Sequence, residues 1–313
     1  MVVQDLGKES LDRMDAARGM SPTAARRRLG AVLREFRERA GLTLDDAGKP
    51  LQRSAATISR LENGKVKPRL IDVGALIDLF DETTPGVSDD ERALVLGLAA
   101  DSRRETWFSP FRDVLAGTMV SEHGRRYMEF ETDADTIQNY EPDLVPGLLQ
   151  TPTYTEQIAA RFYPDHEIEQ RRRFVEFRSA RQNVLTRKPS PLKLHAVLGE
   201  QVLRRAVGDV EVMRTQLKAL AHNVRNGLPN VTIQVAPAAL LTRATIGGAF
   251  VVMSFADAQD DDLVYLEGRS GADYLYGEGE LATYRGYFTE LADLALDQEG
   301  SLAAIEEALK ELA

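Results

Sequence analysis

Residues 54–64, Ser-Ala-Ala-Thr-Ile-Ser-Arg-Leu-Glu-Asn-Gly, predict a short helix with a recognisable signal at each end. The Ser54 hydroxyl can accept a hydrogen bond from a free amide of the first turn, and Gly64 can take the left-handed conformation that ends a helix. At about 100° per residue, Ile58 and Leu61 share one face and point to a core. The opposite face is small, polar and singly basic, which suits the major groove of DNA. It carries Ala56, Ser59, Arg60 and Asn63.

The charge of the chain is distributed unevenly. Its 313 residues carry a net charge of -10, which by itself argues against nucleic acid as a partner. Residues 21–70, however, hold twelve Lys or Arg and five Asp or Glu, a local charge of +7 that leaves -17 for the rest. The sequence therefore predicts a small basic module on a large acidic body. Repulsion by the phosphates would help to keep the acidic body off a DNA duplex, so that the basic module makes the contact. The plainer alternative is an acidic surface that only maintains solubility.

Composition also bounds the class of protein. A hydrophobic content of 43% over this length is enough for two packed domains, and the absence of cysteine excludes disulfides and thiolate metal sites. The start of the chain carries acids without an apolar segment, no run of about eighteen apolar residues occurs, and no spacing matches a calcium or phosphate-binding loop. We therefore expect a cytoplasmic protein with no secretion signal, membrane span, metal or cofactor.

Four more helices are predicted around the opening stretch from apolar spacing and end signals. Thr43 with Asp46 makes a capping-box-like start for a very short one, which Pro50 must stop because proline lacks an amide hydrogen. The five helices would pack as an all-α bundle over residues 21–100, behind a flexible arm at 1–20. The predicted segments are 23–40, 44–49, 54–64, 71–80 and 89–102.

Residues 24–80 resemble the Cro/Xre class of helix-turn-helix DNA-binding domains. The similarity lies in LTLDDAGKPLQRSAATISRLENGKVKPR, residues 42–69, with its closing Ser-Arg-x-Glu-x-Gly. The resemblance implies that the second helix crosses the DNA backbone while the helix at 54–64 enters the major groove. The chain departs from the family where Ala47-Gly48 replaces the usual Leu-Ala and where Gln52 replaces the usual glycine of the turn.

Carried over by position, the resemblance implies two groups of DNA contacts. Arg60 would bond O6 and N7 of a guanine, and alanine methyls would touch thymine methyls, whereas phosphate contacts would only fix the register. Because one helix reads few base pairs, we expect a homodimer on a palindromic operator in double-stranded DNA. The base-reading candidates are Ala55, Ala56, Ser59 and Arg60, and the other contact candidates are Thr43, Ser54, Thr57, Asn63, Lys65 and Lys67.

The chain changes character after about residue 100. Helical segments there alternate with short runs rich in Val, Tyr and Phe, which are separated by Asp- or Gly-rich turns. This pattern predicts an α+β regulatory domain over residues 101–313, with a small sheet of about five strands. The predicted strands are 191–198, 231–236, 249–255, 263–267 and 272–277.

The same region resembles the C-terminal domain of a large actinobacterial group of Xre-type regulators. The most specific match is the Val-Pro-Gly-Leu-Leu-Gln-Thr run at 145–151, and further matches are scattered from Glu131 to Glu267. Members of that group are described as antitoxin-like and are often encoded beside a small protein. The resemblance thus implies a small partner protein for the large domain. A small-molecule sensor and, least expected, an enzyme are the competing classes.

A pocket for a ligand or partner is one interpretation of the aromatic and polar residues in this region, because aromatic bodies with polar tips suit such sites. The alternative is that Pro146-Gly147 is only a rigid turn in front of core leucines. The sequence does not favour either. The pocket candidates are Trp107, Tyr140, Gln150, Tyr154 and Arg181.

Two other features favour structural roles. Five arginines crowd the helix predicted within 167–187, and we interpret them as a solvated face paired with acids rather than as an anion pocket. His195 lies in an apparent strand without a nucleophile motif, so we expect a structural histidine and no catalytic residue. The five arginines are Arg171, Arg172, Arg173, Arg178 and Arg181.

Overall fold

A computed structural model of the protein describes residues 21–83, 86–188, 190–256, 261–268 and 270–312. The chain forms two compact units, Met1–Trp107 and Phe108–Ala313. The first unit extends slightly past the boundary predicted near residue 100, where the Arg103 guanidinium donates a hydrogen bond to the Pro68 carbonyl (2.9 Å). The predicted flexible arm, residues 1–20, lies outside the described residues.

The first unit is a bundle of helices, as predicted. Apolar side chains recur on one face of each helix and meet in a core, in which Leu29, Leu33, Ile58, Ile77 and Leu98 are almost completely buried. The described helices are α1 (Pro22–Arg39), α2 (Leu44–Gly48), α3 (Ala55–Glu62), α4 (Leu70–Asp81) and α5 (Asp89–Asp101).

The end signals predicted for α2 and α3 are present. The Ser54 hydroxyl accepts a hydrogen bond from the amide three residues on (3.3 Å), and Gly64 follows α3 with a φ of 64°. Thr43 and Asp46 form a reciprocal capping box at the start of α2. The predicted groove-facing helix is therefore confirmed as a helix, together with the signals that define its ends.

The turn between α2 and α3 gives a physical reason for one departure from the Cro/Xre pattern and shows that the other is strained. A β-carbon on Gly48 would lie 2.4 Å from the Arg53 carbonyl oxygen, so this position excludes larger residues. Gln52 has a φ of 54°, a left-handed conformation that costs an L residue about 1 kcal/mol and that glycine takes freely. Gln52 thus strains the turn that leads into α3.

The described residues of the second unit form helices and one sheet. No helix in the described ranges is both long and apolar enough to span a bilayer. The described helices are α6 (Arg112–Ala116), α7 (Glu122–Asp133), α8 (Pro152–Phe162), α9 (Ile168–Arg181), α10 (Val210–Asn226), α11 (Arg243–Ile246), α12 (Glu278–Leu294) and α13 (Gln298–Glu311). Short 3-10 helices occur at Ser109–Phe111, Gly147–Leu149, Gln182–Leu185 and Glu200–Leu203. The strands are β1 (Thr136–Glu141), β2 (Lys193–Gly199), β3 (Val231–Ala236), β4 (Phe250–Ser254), β5 (Leu263–Gly268) and β6 (Gly271–Leu275).

The sheet has six described strands, one more than predicted. Their order is β3-β2-β1-β4-β5-β6; the first three run parallel, and β4, β5 and β6 continue the sheet in antiparallel pairs. The missed strand is β1, which lies in the middle. Its sequence, TIQNYE, has few apolar side chains, and two of its polar residues, Asn139 and Glu141, line a cavity. It therefore lacks the apolar run that usually marks a central strand. The predicted α+β class is confirmed.

The two faces of the sheet bury separate apolar clusters. Alternate residues of β1 and β4, such as Ile137 and Met253, share one cluster with side chains from α8, α10 and α13. Tyr140 and Phe250 point to the other face and pack in a cluster with Phe288 of α12. The last helix, α13, is therefore part of the core of its own unit.

Replacing Gln52 by glycine is expected to stabilise the first unit. Relief of the left-handed strain, partly offset by the greater freedom of glycine in the unfolded chain, should raise the free energy of unfolding by about 0.5 kcal/mol. Gln52→Ala keeps the β-carbon and should give no gain. Urea unfolding followed by the emission of Trp107, the only tryptophan, reports on this unit. A loss of stability in Gln52→Gly would show that the turn is not strained.

Candidate nucleic-acid interface and ligand cavity

Helix α3 presents a polar, partly basic surface to solvent. Ala56, Arg60 and Asn63 are exposed, and Ser59 lies half-buried among them. Ala55 is half-buried in the first turn of the helix. The four predicted base-reading residues therefore lie together on the outward side of α3 or at its first turn.

The Arg60 guanidinium has only weak contacts. Its Nε donates to the Ala56 carbonyl at 3.3 Å and its Nη2 to the Thr57 hydroxyl at 3.4 Å, both near the long limit of a hydrogen bond. No carboxylate of the described residues pairs with it within 4 Å. Arg60 can therefore turn outward to two acceptors on a base edge without first breaking an ion pair.

Asn63 has a different role from its neighbours. Its Oδ1 accepts a hydrogen bond from Arg34 Nη2 (2.7 Å), and its Nδ2 donates to the Ser59 carbonyl (2.7 Å). These bonds hold Arg34, which belongs to α1, beside the outward face of α3. Arg34 is a phosphate-contact candidate that the sequence did not reveal, because it lies 29 residues from Asn63 along the chain.

The other predicted phosphate contacts lie before and after α3. Lys65 and Lys67 are exposed, and neither forms an ion pair within the described part of the chain. Thr43 is also exposed, but its hydroxyl donates to Asp46 (2.6 Å). This bond, together with that from Lys49, lowers the pKa of Asp46 to about 2. The Thr43 hydroxyl is thus already engaged as a helix cap, whereas the two lysines are available.

A buried ion pair fixes α3 on α1. Glu62, only 4% exposed, accepts hydrogen bonds from Nε (2.7 Å) and Nη2 (2.9 Å) of Arg37. The hydrogen bond to Glu62 is the main cause of the raised pKa of Arg37. The helices approach this closely because α1 carries Gly30, where a β-carbon would lie 2.4 Å from the Glu62 carbonyl oxygen. The direction in which α3 presents its polar face is therefore set by this pair.

The second unit contains a cavity of about 310 Å³. It is lined by β1, β4 and β5, by α7 and α9, and by residues 144–150. Apolar side chains such as Met128, Phe174 and Phe177 alternate around it with polar and charged ones. This size, and this mixture of an apolar lining with a few polar groups, are typical of small-molecule sites.

Glutamine side chains hold the run at 145–151 in place. Gln150 Nε2 donates to the Val145 carbonyl (2.7 Å), and Gln182 Nε2 donates to the Gln150 carbonyl (2.6 Å). From α10, Gln216 accepts a bond from the Thr151 amide (2.7 Å) and donates to a carbonyl of the adjoining 3-10 helix (2.9 Å). The run is thus a rigid turn and, at the same time, one edge of the cavity, hereafter the rim.

A second buried ion pair supports the rim. Arg181 binds Glu131 through Nε (2.5 Å) and Nη2 (2.7 Å), and Glu131 is only 1% exposed. Burial by itself would lower the pKa of Arg181, but the charge and hydrogen bonds of Glu131 outweigh burial and raise it. A β-carbon on Gly147 would lie 3.2 Å from Arg181 Nη1, so glycine lets the rim rest close to the guanidinium.

The five predicted pocket residues fall in different places. Gln150 and Arg181 line the cavity. Tyr154 is completely buried in the core, where its hydroxyl accepts a hydrogen bond from the rim (3.4 Å), and Tyr140 points to the opposite face of the sheet. Trp107 belongs to the first unit. The face of Tyr140 follows from the alternation along β1, the strand that sequence patterning missed.

Family comparisons match this division of the chain. A family described as a domain of unknown function, DUF5753, matches residues 124–307, more than half of the chain. The chain belongs to this family. A family described as a helix-turn-helix domain matches residues 28–95, which contain α2 and α3. Comparisons with curated proteins and with solved structures gave no match.

Within the DUF5753 domain, the arginines of α9 divide between the surface and the cavity. Arg173, as expected for a solvated face, pairs with two carboxylates at 3.1 and 2.7 Å. Arg178 and Arg181 line the cavity instead, so the prediction of a solvated face was wrong for these two. Helical spacing places them on the side of Phe174 and Phe177, which face the same cavity.

His195 lies on β2 of the DUF5753 domain and is engaged in packing. Its Nε2 lies 2.6 Å from Gln234 Oε1, and its ring meets Phe288 edge-on. These contacts support the structural role predicted for this histidine. Among the described residues, no three or more His, Asp or Glu side chains form a group that could hold a metal ion.

Removing one partner of the Arg181–Glu131 pair is expected to destabilise the DUF5753 domain strongly. Glu131→Gln leaves a buried arginine without its counter-charge, which typically costs about 3 to 5 kcal/mol of unfolding free energy. The double variant Glu131→Leu, Arg181→Met should lose much less, because no buried charge remains. Glu176→Gln removes an exposed partner of Arg173 and should leave the urea midpoint unchanged.

Urea unfolding followed by tyrosine emission measures this effect, because all nine tyrosines of the chain lie in the second unit. An equal loss of stability in the single and double variants would contradict the account of the ion pair, since packing rather than an isolated charge would then be responsible.

Proposed function

We propose that the protein is a cytoplasmic, sequence-specific DNA-binding regulator of transcription, that it acts as a homodimer, and that it is not an enzyme. The observation that carries the proposal is the polar face of α3, which bears Arg60 without an ion-pair partner among the described residues and is fixed from behind by Arg37 and Glu62. The DUF5753 domain would be the regulatory part of the protein, which binds an effector or a partner.

Reading of the DNA sequence is assigned to the outward side of α3. The planar guanidinium of Arg60 offers two parallel N–H donors, which match O6 and N7 of a guanine in the major groove. The methyl groups of Ala55 and Ala56 would contact thymine methyls, and the Ser59 hydroxyl would reach either type of base. Because each of these contacts depends on the base, they supply specificity rather than general affinity.

General affinity would come from the basic surroundings of α3. Residues 21–70 carry a charge of +7, and Arg34, Lys65 and Lys67 lie on or beside the outward face. Each cation that meets a phosphate releases condensed counterions, so binding should weaken steeply with salt. The remaining residues carry -17 and would be repelled by the duplex, which restricts contact to the helix-turn-helix domain.

The proposal of a homodimer follows from the size of the reading surface. One eight-residue helix contacts only a few base pairs, which is too few to define a unique site. Two recognition helices about 34 Å apart would meet successive major grooves on one side of a palindromic operator. We propose that the DUF5753 domain also contributes to dimerisation.

An antitoxin-like role, in which the DUF5753 domain binds a small partner protein, is the second candidate. Leu241 and Ile246, at the two ends of the α11 region, are 79% and 73% exposed. A contiguous exposed apolar patch is typical of surfaces that a protein partner covers, and these two side chains would belong to such a patch in this role. Co-expression with the products of neighbouring genes, followed by purification of the complex, tests this role.

Alanine substitutions should separate base reading from phosphate contact. On a site selected from random DNA by the wild-type protein, Arg60→Ala should lower affinity by about 1 to 3 kcal/mol and relax one base position. Lys67→Ala should weaken all sequences alike and reduce the salt slope by about one. Lys218→Ala, an exposed lysine of the DUF5753 domain, is the matched control and should have no effect.

Fluorescence anisotropy titrations at several salt concentrations measure both effects. Unchanged affinity and unchanged base preference in Arg60→Ala would show that α3 does not read the sequence. An effect of Lys218→Ala as large as that of Lys67→Ala would place the phosphate contacts outside the helix-turn-helix domain.

A further inference from the structure

The cavity of the DUF5753 domain contains a buried acceptor that the fold leaves without a partner. Asn139, in the central strand β1, is only 6% exposed, and its Oδ1 accepts no hydrogen bond from any described residue. An unpaired buried acceptor opposes folding, and native proteins rarely keep one without a use. Asn139 lines the cavity, so a ligand there could supply the missing donor.

Two carboxylates lie near this acceptor. Glu141 follows Asn139 by two residues on β1 and therefore shares its face of the sheet, and Glu267 of β5 lines the same cavity. Neither carboxylate forms a hydrogen bond or an ion pair with the described residues. The sheet side of the cavity thus offers three acceptor groups with no protein donor.

The fold compensates the charge of this side only in part. Burial, reinforced by the negative charges of Glu267 and Asp143, raises the pKa of Glu141 to about 8. Arg178 favours the ionised form of Glu141, but burial and the two acids outweigh this effect, so Glu141 is largely protonated at neutral pH. A cation bound directly to the carboxylate would add a stronger favourable interaction.

The arginines that line the cavity form their hydrogen bonds with groups other than these carboxylates. Arg178 Nη1 donates to Gln150 Oε1 (3.1 Å), and its guanidinium lies over the Phe174 ring, 5.1 Å from the centroid. Burial, with a contribution from the neighbouring Arg181, lowers the pKa of Arg178 to about 10, so it stays charged at neutral pH. Arg181 is bound to Glu131. The cavity groups that lack a hydrogen-bond partner among the described residues are thus the acceptors on the sheet.

We propose that this cavity binds a small organic molecule through a protonated amine, which donates to Asn139 Oδ1 and to the Glu141 carboxylate. Its apolar body lies against Met128, Phe174 and Phe177, and the volume of about 310 Å³ suits a molecule the size of an aromatic amine. The inference rests on the proposed function, in which this molecule is the effector that the DUF5753 domain senses.

Three probes of the same shape and different charge test the proposal on the full chain in the absence of DNA. Isothermal titration calorimetry should show phenethylamine binding at least tenfold more tightly than 2-phenylethanol, with phenylacetate weaker still. Glu141→Gln should lose at least tenfold in phenethylamine affinity. This variant should stay folded because the substitution removes a buried acid. Glu290→Gln, an exposed glutamate of α12, is the matched control and should bind like the wild type.

The pH dependence supplies a second readout. Wild-type affinity for phenethylamine should rise several-fold between about pH 6.5 and 8.5, because Glu141 must lose its proton to pair with the amine, which as an alkylamine remains largely protonated. Glu141→Gln should show no such rise. Burial raises the pKa of Tyr127 and of Tyr265, so both stay neutral over this range. The other charged groups that face Glu141 are Glu267, Asp143, Arg178 and Arg181.

Asn139→Leu is a further test, because its expected effects on stability and on ligand affinity have opposite signs. Removing the unpaired acceptor should raise the urea midpoint of the domain and weaken phenethylamine binding, a combination that a purely structural role would not produce.

The proposal is overturned if 2-phenylethanol binds as tightly as phenethylamine, if phenylacetate binds more tightly, or if Glu141→Gln binds the amine like the wild type. A protein that binds its selected DNA but no amine would overturn this inference alone. One that binds the amine but no DNA would overturn only the proposed regulator.

Discussion

The bidentate pairing of a buried glutamate with an arginine is the interaction on which both units depend. In the helix-turn-helix domain, Arg37 and Glu62 join α1 to α3, and in the DUF5753 domain Arg181 and Glu131 join α9 to α7. Bidentate geometry of this kind compensates the buried charges for their lost hydration, so each pair favours one arrangement of its helices. The first arrangement sets the direction of the polar face of α3, and the second supports the rim of the cavity.

The central strand of the sheet combines a structural position with functional chemistry. A strand with three neighbours on one side and two on the other would ordinarily be apolar, yet β1 carries Asn139 and Glu141 on the face that also holds Ile137. The polar residues oppose folding locally, and the apolar cluster around them supplies the stability that keeps them in place. Local conflict of this kind is expected where a site is built into a core.

Sequence reasoning worked where the signals are local and failed where they depend on distant residues. Ser54 and Gly64 mark the ends of α3 by themselves, so the helix, its faces and its exposed residues could be predicted. Arg34 could not be recognised, because Asn63 positions it from another helix. Arg178 points into the cavity because of the way α9 packs, and Tyr140 takes its face from β1, a strand whose sequence has no apolar pattern. Neither direction could be predicted from nearby residues. The sheet was therefore predicted with one strand too few, and its cavity was assigned partly to the wrong residues.

The proposed DNA recognition requires α3 to lie in the major groove, and the composition of the chain allows a direct test. Because the sequence has no cysteine, Ser59→Cys provides a unique point of attachment for a DNA-cleaving iron chelate. On DNA selected by the protein, the labelled variant should cleave at two symmetry-related clusters about one helical turn apart, whereas label on Lys218→Cys should not cleave locally. Specific binding without localised cleavage from position 59 would contradict the account.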